Sequence, residues 1–270
     1  EMKNINELSV ELPTLNEAEN LKVLIPDIAN SLESIQIDNY EIIVVDDNSS
    51  DNTAYVMKNI MKKNKNIKFV IRKSENSLPK SIWNGIDESQ YLYVMWLDAD
   101  GSMSGSIVKE LVNKLESNKD SVVIASRFVE GGGYKGTLLN EKKSFFRSML
   151  NVNKSKDSVT ATILSSMFNK LLHSLSVSPV KDMTSGFIVG RKKYFIKGVF
   201  DISNYGEYFV YLMNYLEKNN ISILEVGYVC GTRLNGVSKT GNSFLQLIKL
   251  GYPYLKAARM SNRINYENLW

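Results

Sequence analysis

Apolar residues recur along the first half of the chain in two alternating rhythms. Leu8-Ser9-Val10-Glu11-Leu12 switches between apolar and polar at every residue and stops at Pro13, the pattern of a short strand running into a loop. Leu21, Leu24, Ile25, Ile28 and Leu32 then return at helical spacing, with Thr14 or Asn16 placed to cap that helix. Glu41 to Val45 is rich in β-branched residues, as expected of a parallel strand covered on both faces, and it delivers Asp46-Asp47-Asn48-Ser49-Ser50-Asp51. A second helix carries Ala54, Val56, Met57, Ile60 and Met61, with Ser50 or Asp51 as its cap; a third strand spans Ile67 to Ile71, and a helix runs from Lys80 to Glu88. Tyr91 to Leu97 is an uncharged, largely apolar run that ends at Asp98-Ala99-Asp100-Gly101. A helix from Ser106 to Leu115 and a strand from Ser121 to Ala125 continue the alternation. Strand, helix, strand repeated in this way predicts an α/β fold with a mostly parallel sheet and helices on both faces.

From Gly131 to Ser158 the rhythm stops, and a glycine triplet with several lysines predicts a loop or lid. Helices are expected over Thr160 to Leu175 and Tyr208 to Leu216, and strands over Gly186 to Val189 and Ile221 to Cys230. Phe244 to Ala258 reads as a basic amphipathic helix, suited either to packing on the domain or to lying in a membrane interface. The expected organisation is one catalytic domain over 1–240, with 131–158 as its insertion, followed by the helix of 241–270.

Composition narrows the chemistry. The chain has 270 residues, of which 43% are hydrophobic and 23% charged, values that set disorder aside. One cysteine, Cys230, leaves no internal disulfide and points to a reducing compartment. One histidine, His173, leaves zinc sites, two-histidine metal sites and Ser-His-Asp triads without their parts. The polar start from Glu1 to Glu7 is not a secretory signal, and no apolar run is long enough to span a bilayer. Net charge is only +4, and aromatic residues do not interleave with a basic face, so nucleic acid is not the expected partner.

The chemistry then falls to oxygen ligands. Asp98 and Asp100 at a strand's carboxyl end can reach one hard cation, Mg²⁺ or Mn²⁺, whose remaining shell substrate phosphates would supply. Gly101 permits close approach of a diphosphate. Asp47, at the end of another strand, can accept hydrogen bonds from a nucleotide's base or ribose. Glu207 reads as a solvated acid at a helix start, and His173 as a surface or core histidine.

Six ordered motifs carry a resemblance. They are Pro13-Thr14-Leu15-Asn16-Glu17, Val44-Val45-Asp46-Asp47-Asn48-Ser49-Ser50-Asp51-Asn52-Thr53, Asp98-Ala99-Asp100-Gly101-Ser102, Ser126-Arg127-Phe128 with Gly131-Gly132, Asp182-Met183-Thr184-Ser185-Gly186-Phe187, and Arg233-x-x-Gly236-x-Ser238-Lys239. Together they resemble the family 2 glycosyltransferases, and within them the dolichol-phosphate mannose synthase branch. The resemblance implies a GT-A Rossmann-like open sheet with a C-terminal amphipathic helix. It also implies contacts from Pro13, Leu15, Glu17, Asp47, Asp98 and Ala99 to a nucleotide diphosphate-sugar, and a metal on Asp98 and Asp100. Arg127, Arg233 and Lys239 would bind the acceptor phosphate or the donor diphosphate, with Asp182 orienting the acceptor. Ser102 stands where the family often has Gln. The implied reaction is inverting transfer of a sugar, GDP-mannose being the leading donor, onto a polyprenyl phosphate by an enzyme peripheral to the cytoplasmic face of a membrane. Two alternatives stay open: transfer to a sugar hydroxyl, with Asp182 or Glu207 as base, and an inactive nucleotide-sugar sensor.

Overall fold

The computed structural model of the protein describes residues 5–134, 137–138, 156–231 and 244–269. Most of the expected 131–158 insertion, together with Arg233, Gly236, Ser238 and Lys239, lies outside the described residues.

Strands β1 (Glu7–Thr14), β2 (Asn39–Asp46), β3 (Ile67–Ile71) and β4 (Tyr93–Trp96) alternate with helices α1 (Ala18–Ser34), α2 (Thr53–Lys63) and α3 (Leu78–Glu88). Helix α4 (Gly105–Glu116) leads to β5 (Val122–Ser126), and the short strands β6 (Gly133–Tyr134) and β7 (Thr137–Leu138) follow. The rest comprises α5 (Lys156–Leu175), β8 (Ile188–Arg191), α6 (Lys197–Asp201), α7 (Tyr208–Lys218), β9 (Ile223–Gly227), β10 (Val229–Cys230) and α8 (Phe244–Ser261). Seven strands form one sheet in the order β3-β2-β1-β4-β8-β5-β9. β8 runs antiparallel to both β4 and β5, while the other pairings are parallel.

Helices cover both faces, and apolar strand residues line each of them. Leu8, Val10, Leu12, Val44, Met95 and Leu97 meet α1, α2 and α4 in one core. Val94, Trp96, Val122, Ile124 and Ile188 meet α3, α6, α7 and α8 in the other. The C-terminal helix contributes Ala257 and Ala258 to this second core, both fully buried.

Both sides of β1 are covered, because Ser9 and Glu11, the polar positions of its alternation, are also fully buried, beneath α3. Gly85 of α3 makes the room: a Cβ there would lie 2.9 Å from Cγ of Glu11. The strand expected over Ile221 to Cys230 breaks at Tyr228. Its first part joins the large sheet, and its second pairs with β6 in a three-stranded sheet with β7. Glu207 is not solvated: it is 6% exposed, and its Oε1 and Oε2 accept from the backbone N–H groups of Asn204 and Tyr205 at 2.9 and 3.1 Å.

Candidate functional site

Strand order reverses beside β1, since β2 follows it on one side of the sheet and β4 lies on the other. Ligands of open α/β sheets bind outside the carboxyl ends of strands at such a switch point. Three loops leave these ends: Pro13–Glu17 from β1, Asp46–Asp51 from β2 and Asp98–Gly101 from β4.

The first two loops are tied together. The Asp47 N–H donates to the Thr14 carbonyl at 2.9 Å. Asn16, at φ 59°, offers its side-chain oxygen to the Ser50 N–H at 2.8 Å, and its own N–H reaches Ser49 Oγ at 2.7 Å. The left-handed backbone favours asparagine over bulkier residues, and Asn48 at φ 61° repeats the device. Asp51 serves two helices. Its Oδ2 accepts from the Ala18 N–H that opens α1, at 3.1 Å, and its Oδ1 accepts from the Thr53 N–H that opens α2, at 3.0 Å. Neither Thr14 nor Asn16 caps α1 through its own side chain.

Asp47 is 4% exposed and ion-paired to Arg72, while its Oδ2 accepts from the Ser77 N–H at 2.7 Å. The same guanidinium holds Ser81 Oγ at 3.1 Å and Ser74 Oγ at 2.8 Å, which clamps the β3–α3 loop to the end of β2. Arg72 went unrecognised in the sequence. Its signal is an arginine one residue past a parallel strand, at the edge that already carries Asp47. Glu17 is half-buried and accepts from Asn20 Nδ2 at 2.5 Å, whereas Pro13 is buried and Leu15 half-buried.

Asp98 is half-buried, and Ala99 and Asp100 are 3% and 7% exposed. Gly101 at φ 77° turns the loop so that the Ser102 N–H donates to Asp100 Oδ1 at 2.9 Å. Among the described residues no three His, Cys, Asp or Glu side chains form a cage. Two carboxylates at the switch-point edge still fit Mg²⁺ or Mn²⁺, which are commonly held by one or two carboxylates with substrate phosphates and water. The Ser102 carbonyl accepts from the Gly231 N–H at 2.9 Å, which ties the end of β10 to this loop.

Arg127 and Asp182 come together as a buried ion pair. Arg127 Nε and Nη2 donate to the two Asp182 oxygens at 2.8 and 2.7 Å, the Arg127 N–H adds a third bond at 2.9 Å, and Nη2 also reaches Thr184 Oγ1 at 2.7 Å. Burial is the largest single influence and lowers the arginine's pKa, but the Asp182 charge, its hydrogen bond and the nearby Tyr228 and Tyr134 together overcome it and raise the pKa well above the ordinary value. The guanidinium also lies 5.4 and 5.6 Å from the ring centres of Phe128 and Tyr134. The Asp182 loop is itself fixed from two sides. Asn169 of α5 bonds the Lys181 carbonyl and accepts from the Met183 N–H, and Glu225 of β9 accepts from the Lys181 and Asp182 N–H groups at 2.9 and 3.1 Å. Neither residue carries a motif signal. His173 is exposed, with Nδ1 2.8 Å from the Val180 carbonyl, and Cys230 is half-buried beside the acidic loop, where burial raises its thiol pKa against the opposing charge of Arg127.

A mostly parallel open sheet with acids at its switch point is the architecture of a nucleotide-binding α/β domain. The model of glycosyl transferase family 2 matches residues 9–199, and the chain belongs to that family. It is 30% identical over 251 residues to the dolichol-phosphate mannosyltransferase of Pyrococcus furiosus, covering 92% of this chain and 64% of that one. It is 25% identical over 270 residues to a dolichyl-phosphate beta-glucosyltransferase of Dictyostelium discoideum, covering 92% of this chain and 75% of the other. Among solved structures, glucosyl-3-phosphoglycerate synthase of Mycobacterium tuberculosis, in complex with Mg²⁺ and UDP, superposes with a TM-score of 0.61 at 15% identity, over 96% of this chain and 80% of that one. The shared architecture is the GT-A Rossmann-like fold. No helix among the described residues is long and apolar enough to cross a membrane.

Proposed function

We propose that residues 1–240 form an inverting glycosyltransferase domain that moves a sugar from a nucleotide diphosphate-sugar to a polyprenyl phosphate, with GDP-mannose the leading donor. The relatives that act on dolichol or dolichyl phosphate, by their names, support this choice of acceptor. One structural observation also favours it over a sugar hydroxyl. A hydroxyl acceptor needs a base, yet Asp182 is enclosed by the Arg127 donors and each Glu207 oxygen already accepts a turn N–H. A phosphate acceptor is already anionic and attacks without proton removal, so positioning suffices.

In this reading Pro13, Leu15, Glu17, Asp47 and Ala99 contact the nucleotide-sugar. Asp98 and Asp100 hold Mg²⁺ or Mn²⁺ against the diphosphate, where the cation offsets the charge of the leaving nucleoside diphosphate. Arg233 and Lys239 supply further positive charge to the two phosphorylated substrates. Asp182 keeps Arg127 at the same edge. The 131–158 segment serves as a lid. Helices α5 and α8 expose Leu164, Met167 and Leu171, and Leu250, Tyr252 and Met260, which suits a peripheral seat at the cytoplasmic face of a membrane.

The test is transfer by the purified chain with Mn²⁺ or Mg²⁺, a panel of GDP- and UDP-sugars, and polyprenyl phosphate in detergent. A lipid-linked product is expected, and Asp100→Ala or chelator should reduce its rate at least about a hundredfold, as loss of several kcal/mol of metal stabilisation requires. Donor hydrolysis without lipid product would move the acceptor to a sugar hydroxyl. No metal-dependent turnover with any donor would leave the sensor.

A further inference from the structure

A buried acid lies under the middle of α3. Glu11 of β1 is fully buried, and neither of its side-chain oxygens finds a hydrogen-bond partner among the described residues. An ionised carboxylate in that position would lack both water and a donor, so the folded chain holds Glu11 as the neutral acid. Gly85 lies directly on it: a Cβ there would come within 2.9 Å of Cγ and 3.3 Å of Cδ. The helix therefore rests against the carboxyl group, with no space for a side chain between them.

The charged groups around Glu11 are engaged with other partners. On β2, Glu41 Oε1 accepts from Ser9 Oγ at 2.6 Å and from the Gln90 N–H at 2.8 Å, and its Oε2 is ion-paired with Lys68 Nζ of β3 at 2.5 Å. Lys192, just past β8, donates to the Asp87 and Ser89 carbonyls at the end of α3, at 3.2 and 2.7 Å. β4 brings the apolar Val94 and Trp96 to this side of the sheet, and Lys80, Asp87 and Glu88 of α3 are exposed. Burial is the main cause that raises the Glu11 pKa well above 4.5; Lys192 opposes the rise and Glu41 adds to it.

The other end of α3 bears on the switch-point edge. Ser81 and Gly85, one helical turn apart, share a face of the helix. Ser81 Oγ accepts from Arg72 Nη1 at 3.1 Å, Arg72 is ion-paired to Asp47, and the Ser77 N–H at the start of the helix donates to Asp47 Oδ2 at 2.7 Å. We propose that the seating of α3 on Glu11 is a proton-sensitive latch for this edge: with Glu11 neutral the helix stays down and holds the β3–α3 loop on Asp47, and with Glu11 charged it lifts and loosens that loop. Because the folded chain binds this proton more tightly than the unfolded one, the latch is closed at low pH and opens as pH rises through the folded value. The inference rests on the glycosyltransferase reading only in that Asp47 contacts the nucleotide.

The experiment compares the 270-residue chain with Glu11→Gln and with Glu11→Met, neither of which can ionise, by amide hydrogen exchange at pH ~5 and pH ~9. Glu11→Met keeps the position apolar and serves where a buried amide is not tolerated. The ratio of wild-type to variant rates at one pH cancels the chemical dependence of exchange on pH. Over residues 77–89 that ratio should rise at least about tenfold between the two pH values, while over α2 and α4 it stays constant. In parallel, wild-type half-saturation for GDP and for UDP with Mn²⁺ should rise about tenfold more than in the variants, the effect of losing a hydrogen bond to a charged group. An unchanged ratio over α3, or an equal rise over α2 and α4, would overturn the proposal. So would nucleotide binding whose pH dependence is the same in wild type and variants. If neither nucleotide binds at either pH while the α3 ratio rises as expected, the glycosyltransferase reading fails and the proton-sensitive seating of α3 stands.

Discussion

Asp182 is fully buried, and its oxygens accept from Arg127 Nε at 2.8 Å, Nη2 at 2.7 Å and the backbone N–H at 2.9 Å. If this carboxylate holds Arg127 in place, Asp182→Asn should act mainly on stability. The asparagine keeps one acceptor oxygen but turns an NH₂ toward a guanidinium that only donates, so one charge-assisted bond is lost and the arginine is left buried without a counter-charge. Removing one partner of a buried ion pair costs about 3–5 kcal/mol, mostly because the other charge stays behind. Arg127→Met leaves the mirror-image problem and should cost a similar amount. The double variant leaves no buried charge at this position, so it should be far more stable than the two losses together imply, with a coupling of about 3 kcal/mol. Urea unfolding of the four proteins, followed by the fluorescence of fully buried Trp96, measures the cycle. Additive losses to within about 0.5 kcal/mol would refute the argument. So would an Asp182→Asn protein that unfolds like wild type yet cannot transfer sugar, since that pattern belongs to a carboxylate serving the reaction.

Glu11 is fully buried and neither of its side-chain oxygens finds a hydrogen-bond partner among the described residues. Burial raises its pKa well above 4.5, with Lys192 opposing and Glu41 adding to the rise, so the folded chain keeps a proton that the unfolded chain releases; stability from this group is full below the unfolded value and is lost as pH rises through the folded one. Glu11→Gln should therefore be more stable than wild type near pH ~8 and gain little near pH ~4, and equal gains at both, measured by urea midpoints, would count against the buried acid. Asp51→Ala removes the acceptor for the first N–H of both α1 and α2 and should cost about 2 kcal/mol, about 1 per cap, in the same assay; a loss within about 0.5 kcal/mol would show that water replaces it.

Most of the fold is legible because its strands carry their environment in their composition. Glu41 to Val45 and Tyr91 to Leu97 are too apolar for any place but a sheet covered on both sides, and the helices between them repeat at 3.6 residues. What is not legible depends on pairing. Nothing in Ile188-Val189-Gly190 says that this strand runs antiparallel between β4 and β5, because side-chain alternation is the same in either direction. The buried face of Ser9 and Glu11 is hidden for a related reason: alternation reports that two faces differ, and a polar buried face differs from an apolar one as much as solvent does. Gly85 in α3 is the local mark of that face, yet a glycine in a helix has no single meaning until its neighbour across the sheet is known.

The site divides along the same line. Asp47, Asp98 and Asp100 stand out because carboxylates at strand ends are rarely placed there by packing alone. The groups that hold such site residues are ordinary residues from distant parts of the chain: Arg72 for Asp47, and Asn169 and Glu225 for the Asp182 loop. Two of these three come from elements that follow residue 155, whereas the acidic loops lie before residue 102. The loops after β1 and β2 are fastened to one another by Asn16 and Asp51 within the first 53 residues, so that half of the site needs little from the rest of the chain. The other half is fastened by α5 and β9, through Asn169 and Glu225. A change in the seating of α5 or β9 would thus be felt first at the Asp182 loop, and through Asp182 at its ion-pair partner Arg127.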